Sequence, residues 1–345
     1  MQPLVSILIS AFNAESTITE TLQSAMAQTW PRTEIVVVND GSTDRTADIV
    51  RQFKGIKLVS TENSGLSAAL NNAFKPSQGD YIQYLDSDDL LAPDKIERQL
   101  IALQKRNNPR VLASSQWTYF YRRTHNARFT WNSLCEDLSP VEWLMRKMSD
   151  GTFMGNATWL VKRELIEEVG PWNTDLNYDQ DGEFFCRVVS ASEGTCFVPG
   201  TGMYYRRSGS NMSFIGTSDR KKESLLVSMK LHIKHLLSLE DSERTRAACV
   251  KYMQVWFDVF YSTRPELVAE LESIAASLGG RLTAPKLSWK YAWIQKLLGW
   301  ETATTVQMNY NRLKAGTQRA WDNLALHLEK RPARAGNETP SLFKS

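Results

Sequence analysis

Through its first hundred residues the chain alternates short apolar runs with stretches of helical period. Residues 5–9, 34–38, 56–60 and 81–85 are compact apolar runs, long enough for a strand and too short for a helix. Between them, residues 15–28, 43–53 and 65–75 carry apolar positions at helical spacing, and Ser42 or Thr43 is placed to cap the second. A further helix is expected from Pro93 to about Arg106, with proline in its first turn. Strands alternating with helices predict an α/β fold with mostly parallel pairing, in which ligands collect beyond the carboxyl ends of the strands. From about residue 218 the strand signals stop. Residues 221–239, 243–261 and 266–278 read as helices, an all-helical C-terminal extension.

The predicted strand ends carry the candidate chemistry. Ser10, Phe12, Asn13 and Glu15 follow the first run, and Asn39, Asp40, Gly41 and Ser42 the second. Asn63, Ser64 and Gly65 follow the third, and Asp86, Ser87, Asp88 and Asp89 the fourth. Asn, Asp, Gly and Ser favour turns for local backbone reasons, so any one cluster reads as a turn. Four in series at one sheet edge point to a site. Asp86 and Asp88 stand two apart after an apolar strand, and hard cations want such oxygens. Mg²⁺ typically takes one or two carboxylates and fills its shell with water and substrate phosphates. The alternative is a solvated acidic turn, with Asp89 against a helix dipole. Asp40, at a strand-to-helix turn, can accept hydrogen bonds from a base or hydroxyls, or simply close an Asx turn or helix cap.

Four stretches resemble the start of a family 2 glycosyltransferase of the GT-A fold: VSILISAFNAE (5–15), IVVVNDGSTDRT (35–46), NSGLSAALNNA (63–73) and GDYIQYLDSDDLLAPDKIE (79–97). The resemblance implies a nucleoside-diphosphate sugar donor. It sets Ser10, Phe12, Asn13, Glu15, Asp40, Asn63, Gly65, Asn71, Asp86, Ser87 and Arg206 on the donor side. Asp40 would bond the base, Asp86 would lie near ribose and metal, and Asp88 would bind Mn²⁺ or Mg²⁺ directly. Leu70 departs from the family, which often carries Arg there. The segment WLVKRELIEEVGPWNTDLNYDQDGEFFCRV (159–188) resembles the family's acceptor side. There Asp181 falls at the position of the catalytic base, Trp172 and Asp179 lie beside it, and Gln180 stands where Glu is commonest. A carboxylate suits that place because an acceptor hydroxyl needs a positioned base. A base across the sugar from the leaving diphosphate implies inversion, as in inverting hydrolysis. Asp179 and Glu183 are rivals for the role, and all three acids also fit an ordinary helix start. The segment from Tyr204 resembles the family's Tyr-Arg-x-His, with Ser208 at the His position and Arg206, Arg207 or water as substitutes. The resulting expectation is a catalytic unit over 1–215, a helical extension over 216–330 and a disordered tail over 331–345.

Composition narrows the alternatives. Lys+Arg number 41 against 38 Asp+Glu, a formal charge of +3, and 42% of residues are hydrophobic. That balance suits a soluble globular chain and argues against a dedicated nucleic-acid binder. Cys135, Cys186, Cys196 and Cys249 form no C-x-x-C pair, so reduced thiols in a cytoplasmic protein are expected. No signal peptide or spanning segment is read, and His232 and His235 read as packing residues. Residues 286–300 mix Trp289, Trp293 and Trp300 with Lys286, Lys290 and Lys296. They fit a helix at the inner face of a membrane, or one packed on protein. The processive-synthase motif Gln-x-x-Arg-Trp is absent, the nearest stretch being Gln318-Arg-Ala-Trp321, so a single transfer to a glycan, lipid-linked or protein acceptor is expected. Two rivals stand beside this reading: a haloacid-dehalogenase-type phosphatase using Asp86 as nucleophile, and a non-catalytic sugar- or partner-binding scaffold on the same fold.

Overall fold

A computed structural model describes residues 2–125, 127–207, 215, 218–261, 263–285, 287 and 289–329. The first half builds β1 (Val5–Ala11), α1 (Ile18–Met26), β2 (Thr33–Asp40), α2 (Thr46–Arg51), β3 (Ile56–Thr61), α3 (Leu66–Phe74) and β4 (Tyr81–Asp86). Every residue of β1 is buried, which is why its run is apolar without alternation: a central parallel strand is covered on both faces. β5 (Leu90–Leu91), α4 (Lys95–Arg106), β6 (Leu112–Phe120) and α5 (Pro140–Asp150) follow. A 3₁₀ turn at Asn156–Thr158 leads to β7 (Val161–Lys162), α6 (Arg163–Val169), α7 (Gln180–Ala191) and β8 (Thr195–Arg206). The large sheet runs β3-β2-β1-β4-β7, parallel except for β7, and a small sheet runs β5-β8-β6.

Two local readings are corrected. α1 starts at Ile18, because Ala14–Thr17 form a turn whose Thr17 hydroxyl donates to the Ser87 carbonyl at 3.0 Å. Neither Ser42 nor Thr43 caps α2. Asp44 takes the Thr46 amide at 2.9 Å, while the Ser42 hydroxyl accepts the Asn13 amide at 3.0 Å.

The helical region comprises α8 (Asp219–Leu239), α9 (Glu243–Phe260), α10 (Pro265–Ser277) and α11 (Trp289–Glu329), the last broken at Gly299 with φ 82°. Ser218 caps α8, and Ser242 with Thr245 closes a capping box on α9. Leu225, Met229 and Leu236 of α8 and Tyr252 and Phe257 of α9 join the same apolar core as Trp143 and Phe184. The helices therefore extend the core of the sheet unit. The expected boundary falls beside residues 216 and 217, and the expected tail at 331–345; both lie outside the described residues, as does Ser208. All four cysteines are buried thiols. His232 is buried, with Nδ1 2.7 Å from the Ser228 carbonyl, in keeping with a packing role. Among the described residues no helix is long and apolar enough to cross a membrane.

Candidate active site

Register alone aligns the polar strand ends. Ser10 of β1 lies opposite Asp86 of β4, Ala11 opposite Asn39 of β2, and Asp40 opposite Thr61 of β3. The loops beyond are stitched together. Asn13, at φ 49°, accepts the Thr43 amide on Oδ1 at 2.9 Å, and Glu15 accepts the Arg45 amide at 3.2 Å. Phe12 is left exposed at the rim. Asp40 is buried; Oδ1 accepts the Ser64 amide and Oδ2 the Gly65 amide, each at 2.9 Å. Asn63 returns a bond from Nδ2 to the Asp40 carbonyl at 3.0 Å. Gly41 permits this approach: at φ +72° its missing Cβ would stand 2.7 Å from the Asn63 nitrogen. Asp40 thus organises the turn into α3 whatever else it binds.

Asn71 and Trp172 exchange two bonds, at 3.0 and 2.8 Å, joining α3 to the turn before α7. Trp172 was expected on the acceptor side, but its ring is buried, stacked on Phe184 at 4.2 Å. It is a core residue that positions its neighbours and offers no surface to an acceptor. Leu70 lies wholly in the core, so no cation stands at that position.

The acidic turn after β4 is held from three sides. Asn156 donates to Asp86 Oδ1 at 2.8 Å, and Thr17 and Thr21 both donate to the Ser87 carbonyl at 3.0 Å. Arg206 donates from Nε to the Asp88 carbonyl at 2.6 Å, and its backbone amide donates to Asp89 Oδ1 at 2.8 Å. The guanidinium also pairs with Glu20 at 2.6 Å and lies over the Phe120 ring. Arg206 was expected to meet the diphosphate, but it is only 3% exposed, and its guanidinium donors go to the Asp88 carbonyl, the Tyr121 carbonyl and Glu20. The next residue, Arg207, is exposed and stacks on Tyr119 at 4.0 Å.

On the facing side, α7 presents three acids with different surroundings. Glu183 is buried in an ion pair with Arg187 at 2.6 Å, which occupies it. Asp179 precedes α7 at φ 58°, and its Oδ2 accepts the Ser228 hydroxyl at 2.5 Å. Asp181 sits in the first turn. Burial, then the charge of Asp179, push its carboxyl up to about 6. Burial pushes Asp86 up to about 7, aided by the charges of Asp88 and Asp181. Tyr205 is raised by burial and by all four of Asp86, Asp89, Asp181 and Asp88. One phenol feels both acidic sets, so the β4 turn and the start of α7 lie near one another. Asn156 was not singled out from sequence, because the 3₁₀ turn at 156–158 has no periodic signature; Tyr205 was quoted only as the Tyr of the Tyr-Arg-x-His resemblance, with no role of its own.

Among the described residues no group of three His, Cys, Asp or Glu side chains forms a closed metal cage. Asp86 and Asp88, however, supply the paired hard oxygens that an open, water-completed Mg²⁺ or Mn²⁺ shell takes. Asp89 Oδ2 is also buried with no hydrogen-bond partner. This donor set fits a hard divalent cation.

Residues 6–170 match the family model "Glycosyl transferase family 2". An uncharacterised glycosyltransferase of Rickettsia typhi is 32% identical over 192 residues, covering 55% of this chain and 60% of that protein. The Escherichia coli UDP-Glc:alpha-D-GlcNAc-diphosphoundecaprenol beta-1,3-glucosyltransferase WfaP is 41% identical over 100 residues, covering 28% of this chain and 40% of that one. The chain thus spans less than two thirds of the curated relatives it matches. In fold it resembles S. aureus TarS 1–349, with a TM-score of 0.62 at 18% identity and 80% of each chain covered. The match takes in Asp86 and Asp88 and displaces the phosphatase reading of that turn. Residues 6–170 of this chain are thus similar to glycosyl transferase family 2, on a GT-A-type fold.

Proposed function

We propose that the chain transfers one sugar from a nucleoside-diphosphate sugar to an acceptor hydroxyl, by direct displacement with inversion at the anomeric carbon. One observation carries this reading: the charges of Asp86, Asp88 and Asp181 all bear on the Tyr205 phenol, which brings the acidic donor-side turn and the first turn of α7 near one another. Asp181 takes the proton of the acceptor hydroxyl as the new bond to C1 forms. The diphosphate departs on the opposite face of the sugar. Of the three acids at α7, Glu183 is held by Arg187 and Asp179 by Ser228, which favours Asp181 as the base.

On the donor side, Asp40 and the loop 63–65 frame the base, and Ser10, Phe12, Asn13 and Glu15 form the opposing lip. Asp88, with Asp86, would hold a Mg²⁺ or Mn²⁺ ion, which when bound supplies positive charge near the departing diphosphate. The carbonyls of Ser87 and Asp88 are pinned by Thr17, Thr21 and Arg206, which keeps the two carboxylates aimed. The E. coli relative names UDP-glucose and a lipid-linked diphosphate, so a uridine diphosphate sugar and a lipid-linked acceptor form the first pair to test.

The test pairs binding with turnover. Uridine diphosphate with Mn²⁺ or Mg²⁺ should raise the melting temperature of both wild type and Asp181→Asn, since a ligand selective for the folded state stabilises it. Only wild type should release nucleoside diphosphate when sugar donor and acceptor are supplied. Transfer by Asp181→Asn at the wild-type rate refutes the base assignment. Donor binding with no turnover across sugar donors and acceptors favours the scaffold reading.

A further inference from the structure

The first segment of α11, residues 289–298, has two unlike faces. Trp289, Trp293 and Leu297 are 81%, 61% and 72% exposed. Spaced four apart, they form one stripe spanning about 80° of the helix circumference. Lys290 lies at one edge of that stripe and Lys296 at the other, both exposed. Beyond the Lys290 edge the helix is seated on the protein at Ile294, which is buried, while Leu298 next to it is exposed; past the break the Trp300 ring meets Tyr261 of α9 at 5.6 Å. Lys286, expected to add to this face, lies outside the described residues.

The charge around the stripe has one sign. Between Glu272 and Glu301 there is no acidic residue, while Arg281, Lys286, Lys290 and Lys296 all fall in that interval. A water-facing stripe of indoles and leucine costs hydration free energy on the order of 25 cal/mol for each Å² left exposed. Indole rings settle at the boundary between headgroups and acyl chains, and lysines at the rim lay their stems on apolar surface while the ammonium groups reach outward. A basic rim without acids complements anionic headgroups. Ten residues before the break are too few to span a bilayer, which takes roughly 20, so the segment lies in the surface.

We propose that residues 289–298 dock the chain flat on an anionic lipid surface, with Trp289, Trp293 and Leu297 inserted and Lys290 and Lys296 on the headgroups. This rests on the exposure and charge of α11 and not on the catalytic reading.

The experiment is co-sedimentation of the full chain with vesicles of phosphatidylcholine alone and of phosphatidylcholine with phosphatidylglycerol. Wild type should bind the anionic vesicles about tenfold or more tightly than the neutral ones, and the preference should shrink as salt rises. The double variant Lys290→Glu with Lys296→Glu should erase the preference. Trp293→Glu should lose binding to both vesicle types while keeping the wild-type melting temperature, because the site is exposed. Quenching of wild-type tryptophan fluorescence by brominated lipid gives a readout that needs no variant. Absence of sedimentation with anionic vesicles, or variants that bind like wild type, overturns the proposal. So does light scattering that shows a dimer dissociated by Trp293→Glu, since a second copy would then be what covers the face.

Discussion

Ser228 of α8 donates its hydroxyl proton to Asp179 Oδ2 at 2.5 Å, bridging 49 positions of sequence between the helical extension and the start of α7. Ser224, one turn earlier, accepts the amides of Asn177 and Tyr178 at 3.0 Å each and donates to the Tyr178 carbonyl. Two serines of one helix thus grip three successive residues that lead into Asp181. The grip depends on Gly182, where a Cβ would stand 2.0 Å from Asp179 Oδ1. The extension therefore shapes the acceptor side as well as burying its own apolar face.

Removing the Ser228 hydroxyl leaves Asp179 short of its donor and free to turn toward Asp181. An unmade hydrogen bond to a charged group costs about 1–3 kcal/mol. Ser228→Ala is expected to lower the melting temperature and kcat while leaving the donor KM unchanged, because nothing on the donor side touches Ser228. Steady-state kinetics at fixed acceptor check this, and a kcat equal to wild type contradicts it.

The doubly wound part of this fold was legible because its signal is local. The first four strands are apolar runs of strand length, and the polar residues at their ends follow from chain order alone. The small sheet was not legible. β6 and β8 are 75 positions apart from the end of one to the start of the other, and their pairing shifts register at Ser115 and Gln116. No spacing rule connects such segments. The same holds for side-chain duties. Arg206 stands in a motif that suggests phosphate contact, but whether a guanidinium faces solvent or folds back onto Glu20 is a tertiary fact. Trp172 likewise carries the composition of a binding residue, and the stacking with Phe184 that buries it is set by α7 packing.

Arg206 and Arg207 are adjacent in sequence and opposite in consequence. Arg206→Ala takes a buried cation from Glu20, from the Asp88 carbonyl and from the face of Phe120. Glu20 is partly exposed, so losing this pair together with the Asp88 hydrogen bond costs on the order of 1–3 kcal/mol. Arg206→Lys should recover little of that, since the planar fork makes the contacts. Arg207→Ala should stay within about 0.5 kcal/mol of wild type, as surface changes do. Chemical denaturation of the three variants ranks them, and equal midpoints for Arg206→Ala and Arg207→Ala would contradict the assignment.

The acidic turn should respond to cation alone. Asp86, Asp88 and Asp89 repel one another, with Arg206 as the paired cation nearby. Asp88→Asn removes one charge and is expected to raise the melting temperature of the metal-free protein. The same variant should lose the stabilisation that Mg²⁺ or Mn²⁺ gives wild type, because an amide is a poor substitute for a carboxylate on a hard cation. Thermal melts with and without metal, in the absence of any nucleotide, separate the two effects. An undiminished metal-induced rise in Asp88→Asn would remove Asp88 from the ligand set.

Asp181 carries the clearest pH signature. Its carboxyl is raised from the ordinary 3.8 to about 6 by burial and by Asp179. Between those two values the unfolded chain has released the proton while the folded chain still holds it. The folded state binds more protons there, so stability from this group falls as pH rises through that window and stays lower above it. Activity moves the other way, because a base must be ionised: kcat/KM should climb with pH through about 6 and level off above 7. Asp181→Asn removes both effects together. It is expected to melt higher than wild type at neutral pH, to lose roughly 10²–10⁴ in transfer rate, and to show no limb near 6. A structural acid would give the stability change without the rate loss, and a base elsewhere would leave the acid limb in the variant's pH profile.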